Sequence, residues 1–439
     1  MVTALGAVAA PELKREPVVA NAVLVVSGLL ACAVVGWHIF AIPIGTPYYG
    51  LFNNHVDLTV YRAGGEAIAH RAGLYDGAVV FGMQFTYTPF AALVFVPLTW
   101  VGLHTANLLW WTAIFAALVA IVAVSLRSLG YRATPRTALF AFFLAVASTA
   151  LEPVRTTIWL GQVNVFIVLL VLWDLTRPNS KGRGIGVGIA AGIKLTPILF
   201  LAYLAVTRQW RTCATVAATL AGTVALGFVI IPGDAWGYWA NQFTNSSRIG
   251  AVDSPGNQSI NGAIAQLLRL FHVDRYLHTG PGLYLYVPPT WLWLAVAVPI
   301  AVGGLAAGAL AYRRGQQVLA ISVVGMTSAA VSPFAWGHHW VWFVPLLVVL
   351  LHHALDDRSW WSGLAAGALA AVAFCWWWSF TDREPLEGAP YPIGLGLFMM
   401  PRDDPAWWSN IVVPFYAVCF PLVLLVTIGF ILFHSHGSE

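Results

Sequence analysis

The chain has 439 residues, of which 59% are hydrophobic and 9% charged, with a formal net charge of +4. A soluble globular domain carries about a quarter of its residues as Asp, Glu, Lys and Arg, so this composition excludes a water-soluble fold and predicts an all-α, polytopic membrane bundle. The small positive excess lies mostly in short connectors, which sets membrane topology and leaves no nucleic-acid footprint.

A helix needs about 20 apolar residues to cross the hydrocarbon core. The first such run, Val18 to Ile42, is longer than a signal-peptide core and has no small-x-small cleavage site in range. It is expected as a retained first helix, with Lys14 and Arg15 holding the amino terminus in the cytoplasm. A polar, aromatic loop follows from about Gly45 to Thr88. Further along, Cys213 to Ile231, Thr290 to Tyr312 and Ile411 to Phe433 approach or reach spanning length, separated by a second polar loop at 232–289 and a third at 381–410. Pro and Gly interrupt several runs, and counting through those breaks gives about twelve crossings in a single membrane domain over 1–439. Basic residues mark the cytoplasmic connectors: Arg127, Arg132 and Arg136; Arg177, Lys181 and Arg183; Arg208 and Arg211; Arg313 and Arg314; Arg358. The three polar loops then fall on the external face of the plasma membrane. Cys32, Cys213, Cys375 and Cys419 sit in or beside apolar runs, so no disulfide framework is expected.

Ionisable residues in or near spans are costly and therefore carry functional hypotheses. In His55-Val56-Asp57-Leu58-Thr59-Val60-Tyr61-Arg62, a helix would put Asp57 and Tyr61 on one face at four-residue spacing. A carboxylate at the membrane edge is suited to accept a proton from a sugar hydroxyl; it is equally suited to cap a helix or to pair with Arg62. Glu66 and Asp76 are the other acids of this loop. Tyr87, in Phe85-Thr86-Tyr87-Thr88-Pro89, can stack on a sugar or anchor the loop at the interface. Glu152-Pro153-Val154-Arg155 precedes Gly161-Gln162-Val163-Asn164, where Gln162 and Asn164 offer fixed donors and acceptors for hydroxyl-rich ligands or for neighbouring helices. Lys194 interrupts an apolar run without an acidic neighbour, so it must snorkel, pair or bind an anion such as phosphate, and Pro197 should break the helix just beyond it. Asn257 lies in Asn257-Gln258-Ser259-Ile260-Asn261-Gly262 of the second loop. His338 and His339 close Ser332-Pro333-Phe334-Ala335-Trp336-Gly337-His338-His339-Trp340. Helical neighbours point about 100° apart, so only one of the two histidines is expected to reach a shared ligand. No Cys or carboxylate cluster completes a metal site with them.

The sequence has no phosphate loop, no dinucleotide fingerprint and no serine nucleophile elbow, so a sugar donor would have to arrive within the membrane. Taken in order, Asp57 with Tyr61, Tyr87-Thr88-Pro89, Gly161-Gln162-Val163-Asn164, Gly192-Ile193-Lys194-Leu195-Thr196-Pro197, Asn257-Gln258-Ser259 and Ser332 to His339 resemble the actinobacterial polyprenyl-phosphate-mannose-dependent mannosyltransferases. These belong to the GT-C class. Among them the chain looks most like members that add α-1,2-linked mannose to phosphatidylinositol mannosides. The resemblance implies a polyprenyl-phosphate-mannose donor, a phosphatidylinositol mannoside acceptor, and inversion at the anomeric carbon. It implies Asp57 as the catalytic base, Lys194, His338 and His339 at the donor phosphate, and Tyr61, Tyr87, Gln162, Asn164 and Asn257 as sugar or acceptor contacts. No Asp-x-Asp motif accompanies Asp57, which speaks against a divalent metal; no cofactor is expected. The competing expectations are a transporter or flippase of a lipid-linked sugar and a non-catalytic assembly subunit.

Overall fold

The computed structural model describes residues 18–40, 44–178, 181–245, 248–280, 283–375, 396–397 and 409–433. Seventeen α-helices dominate them: α1 (Asn21–Phe40), α2 (Val56–Ala69), α3 (Pro89–Phe95), α4 (Leu103–Ser128), α5 (Pro135–Ser148), α6 (Glu152–Leu160), α7 (Asn164–Thr176), α8 (Ile185–Ile193), α9 (Leu199–Val206), α10 (Trp210–Ile230), α11 (Pro232–Gly237), α12 (Ile260–Leu270), α13 (Thr290–Arg313), α14 (Gln317–Val331), α15 (Phe343–Leu355), α16 (Trp360–Phe374) and α17 (Ser409–Phe433). Two antiparallel strand pairs, β1 (Ala78–Val80) with β2 (Met83–Gln84) and β3 (Leu277–Gly280) with β4 (Leu283–Tyr286), and short 3-10 helices, among them Val96–Trp100 and Gly337–Trp340, lie between the helices.

Six helical segments among the described residues are long and apolar enough to cross a bilayer: α1, α4, α10, α13, Gly337–Leu355 and Phe415–Phe433. The pair α5 and α6 would add a seventh, bent by 82°. Large apolar side chains such as Val25, Val26, Leu29 and Leu30 on α1 stand more than half exposed, which suits lipid rather than water. The all-α membrane architecture read from composition is therefore present. Long helices alone fall short of twelve crossings, because Pro and Gly divide several apolar runs into helices of 10–17 residues. The third polar stretch, 381–410, lies almost wholly outside the described residues, as do Lys14 and Arg15.

Breaks in these apolar runs bring polar residues together. The nine residues of α6 are all buried, and the helix ends at Gly161, whose φ of +72° is the left-handed conformation glycine tolerates best. A Cβ at Gly161 would come within 2.9 Å of the Leu58 Cβ, so only glycine lets the end of α6 meet the start of α2. The His55 amide donates to the Trp159 carbonyl at 2.8 Å across the same junction. On the other side, α8 lies against α10 through Gly188 and Gly192, where added Cβ atoms would stand 2.5 Å from the Thr219 and Thr223 side chains. Proline lacks the amide proton a helix needs and clashes with the preceding turn. Pro197 accordingly stops α8 at Ile193, and Lys194 is extended, at φ −143° and ψ 127°. Thr88 joins the first loop to this break: its hydroxyl caps α3 by accepting from the Ala91 amide and donates to the Gly192 carbonyl at 2.5 Å.

Candidate active site

Asp57 stands in the first turn of α2, with Tyr61 one turn on. The four-residue spacing does place both on one face, and that face meets Gln162. The Gln162 side-chain amide donates to Asp57 Oδ2 at 2.5 Å, and its oxygen accepts from the Tyr61 hydroxyl at 3.0 Å and from the Tyr87 hydroxyl at 3.3 Å. The two phenols are 2.8 Å apart. Asp57 does not pair with Arg62, which bonds Glu66 at 3.0 Å and the Leu98 and Val101 carbonyls.

The network continues through α7. Asn164 Nδ2 donates to Gln162 Oε1 at 3.2 Å, and Lys194 Nζ donates to Asn164 Oδ1 at 2.8 Å. The ammonium also bonds His339 Nε2 at 2.6 Å and lies 5.5 Å from the centroid of the Tyr87 ring. An ammonium can only donate, so His339 accepts through Nε2 and carries its proton on Nδ1. Asp57, Tyr61, Tyr87, Gln162, Asn164, Lys194 and His339 thus form one hydrogen-bonded chain drawn from α2, the segment before α3, the α6–α7 junction, the α8 break and the turn Gly337–Trp340. Enclosure raises the Asp57 carboxyl from its ordinary 3.8 to about 6, against the opposing pull of the Gln162 hydrogen bond and the Lys194 charge. Burial likewise raises the Tyr61 and Tyr87 phenols, which stay neutral near pH 7.

Two of the residues singled out in the sequence are not in this chain. His338 is buried beside His339, the rings 5.0 Å apart and tilted by 74°, and neither of its nitrogens has a hydrogen-bond partner among the described residues. The adjacent histidines do diverge. Asn257 is fully buried and its amide is engaged locally: Oδ1 accepts from the Ala335 amide at 3.0 Å and the Ser259 hydroxyl at 2.9 Å, and Nδ2 donates to the Val252 carbonyl at 2.8 Å. With Gln258 N to Ala335 O at 2.7 Å, Gly337 N to Gly256 O at 3.1 Å and Asn261 Nδ2 to Pro333 O at 3.1 Å, this segment clamps the backbone that presents His339. Glu152 was assigned no role from the sequence. It is buried against Gly337, and its Oε2 has no hydrogen-bond partner among the described residues; an acid between apolar runs was the available signal. Among the described residues no three His, Cys, Asp or Glu side chains gather as a metal site.

The model of Glycosyltransferase family 87 matches residues 85–333, which carry Tyr87, Gln162, Asn164, Lys194 and Asn257. This chain belongs to that family. It is 32% identical, over 88% of its own length and 87% of the relative's, to the polyprenol-phosphate-mannose-dependent alpha-(1-2)-phosphatidylinositol pentamannoside mannosyltransferase of Mycolicibacterium smegmatis. A polyprenol-phosphate-mannose-dependent alpha-(1-2)-phosphatidylinositol mannoside mannosyltransferase of Mycobacterium tuberculosis is 30% identical over 79% of each chain. No solved structure gives a significant match.

For this family 87 glycosyltransferase, the clamp on the histidine turn gives a stability prediction. Asn257→Ala leaves the buried Ala335 amide without its acceptor, at a cost of about 1–3 kcal/mol. Thermal unfolding in detergent should show a clear fall in Tm. An unchanged Tm would mean that Asn257 does not hold the turn.

Proposed function

We propose that this glycosyltransferase moves mannose from polyprenyl-phosphate-mannose to a phosphatidylinositol mannoside, forming an α-1,2 linkage with inversion at the anomeric carbon. The relatives' names supply the donor and acceptor class. One observation supports the chemistry: a single hydrogen-bonded chain carries a carboxylate at one end and an ammonium with an imidazole at the other.

Asp57 Oδ2 is held by Gln162, and no described residue donates to Oδ1. Oδ1 takes the proton of the acceptor hydroxyl as that oxygen bonds to the mannose C1. The bond from C1 to the phosphate oxygen breaks on the opposite face, and polyprenyl phosphate leaves with the electron pair. A positioned base typically contributes about 10²–10⁴ in rate. The Lys194 ammonium has three protons and spends two on Asn164 and His339; the third is available for the phosphate, whose charge grows as the bond breaks. His339, bonded to Lys194, completes the phosphate end, with His338 diverging from it as the alternative candidate, while Tyr61, Tyr87 and Asn164 border the sugar and acceptor. The chemistry uses no metal or cofactor, since a lipid monophosphate leaving group is matched by these cationic and hydrogen-bonding groups.

The positive-inside pattern puts the loops at 45–88, 232–289 and 381–410 on the external face of the plasma membrane. The shorter apolar helices then act as broken spans, for about twelve crossings in one membrane domain.

Purified protein given polyprenyl-phosphate-mannose and phosphatidylinositol mannosides of different mannose number should yield a product one hexose heavier, on a preferred acceptor. The rate should fall as pH drops through about 6, where Asp57 becomes protonated, and Asp57→Asn should lose about 10²–10⁴-fold while still binding donor. Movement of unaltered donor lipid without transfer would make the chain a carrier, and a dead Asp76→Asn beside an active Asp57→Asn would move the base to Asp76. In intact cells, Gly77→Cys should react with an impermeant thiol reagent and Arg132→Cys should not; the reverse would invert the orientation.

A further inference from the structure

The two amides between Lys194 and Asp57 are oriented in one sense. The ammonium can only donate, so it fixes Asn164 Oδ1 toward itself at 2.8 Å and turns Asn164 Nδ2 to Gln162 Oε1 at 3.2 Å. The Tyr61 hydroxyl reinforces that acceptor role at 3.0 Å, which turns Gln162 Nε2 to Asp57 Oδ2 at 2.5 Å. A carboxylate can only accept. Flipping either amide sets donor against donor or acceptor against acceptor at both of its ends. Among neutral side chains only Asn and Gln combine a carbonyl acceptor with an NH2 donor as these two links require.

We propose that Asn164 and Gln162 are positioning residues that form an oriented amide relay between Lys194 and Asp57, so that donor phosphate at Lys194 sets the strength of the base that activates the acceptor. This rests on Asp57 as base and Lys194 as phosphate cation. With Lys194 unopposed, aligned amide dipoles polarise one another and favour the ionised carboxylate. A phosphate on Lys194 offsets its charge and weakens that polarisation. Asp57 then holds a proton more tightly and is a stronger base only when a mannosyl donor is in place. Couplings of this kind suit a lipid-linked donor that arrives by lateral diffusion, because the acceptor hydroxyl is activated only after loading.

The other groups facing Asp57 leave Lys194 as the cation that acts on it. Tyr61 on its own helix and Tyr87 are neutral phenols. The packed elements α3, Val96–Trp100 and β1 carry no ionisable side chain. On α6, Arg155 near the far end donates to the Tyr49 carbonyl, and Glu152 lies against Gly337.

The test is the pH dependence of mannosyl transfer from polyprenyl-phosphate-mannose in the wild type, Asn164→Leu and Gln162→Glu. The acid limb of kcat/KM for the donor reports the free enzyme and that of kcat the loaded one. In the wild type the kcat limb should lie higher by about one pH unit, the scale of a neighbouring charge. Asn164→Leu should bring the two limbs together, and Gln162→Glu, which sets a second carboxylate on Asp57, should move both upward. A uniform loss of rate with both limbs in place would mean a structural role and overturn the relay. Should Gln162→Glu not fold, judged by its Tm, Asn164→Leu decides alone. Full activity of Asp57→Asn would instead remove the base assignment, separately from the relay.

Discussion

An ammonium placed in an apolar helix bundle must be hydrogen-bonded or the bundle will not tolerate it. Lys194 meets that demand at the break that Pro197 forces in α8, where the backbone turns extended and the side chain reaches Asn164 and His339. The rest of the polar chain follows from it. Once Asn164 accepts from the ammonium, each later link has one allowed direction, and the chain ends at Asp57. Much of the surrounding structure serves to bring these ends within reach. Gly161 lets α6 touch α2, Gly188 and Gly192 let α8 lie on α10, and the Asn257 segment holds the turn that carries His339.

Local features of this site were legible in the sequence because they depend on spacing within one element. Four-residue spacing put Asp57 and Tyr61 on one face, Pro197 ended α8, and adjacent positions separated His338 from His339. The partners were not legible, because each crosses a long stretch of chain. Gln162 meets Asp57 across 105 residues, and His339 meets Lys194 across 145. Gln162 read as a donor and acceptor either for hydroxyls or for neighbouring helices, and its carbonyl and amide are bonded within the protein. Asn257, implied by the resemblance as a sugar or acceptor contact, has its amide bonded to the Ala335 amide, the Ser259 hydroxyl and the Val252 carbonyl. The number of crossings was obscured by the breaks that make the site: a run divided by Pro or Gly reads as one span or two, and the bend of 82° between α5 and α6 has no signature beyond Pro153 and the polar residues around it.

The arrangement separates charge along one hydrogen-bonded path. A carboxylate and an ammonium placed in direct contact would neutralise each other as a salt bridge; two intervening amides keep Asp57 and Lys194 apart within one hydrogen-bonded path. This geometry suits an inverting displacement, in which proton removal and phosphate departure occur on opposite faces of the sugar.

The most direct measurement is a cryo-electron microscopy structure of the Asp57→Asn protein with polyprenyl-phosphate-mannose bound. The phosphate should lie within about 3 Å of Lys194 Nζ, beside His339, with the mannose between it and residue 57. Phosphate seated instead on Arg155 or Arg248, with Lys194 still bonded only to Asn164 and His339, would contradict it.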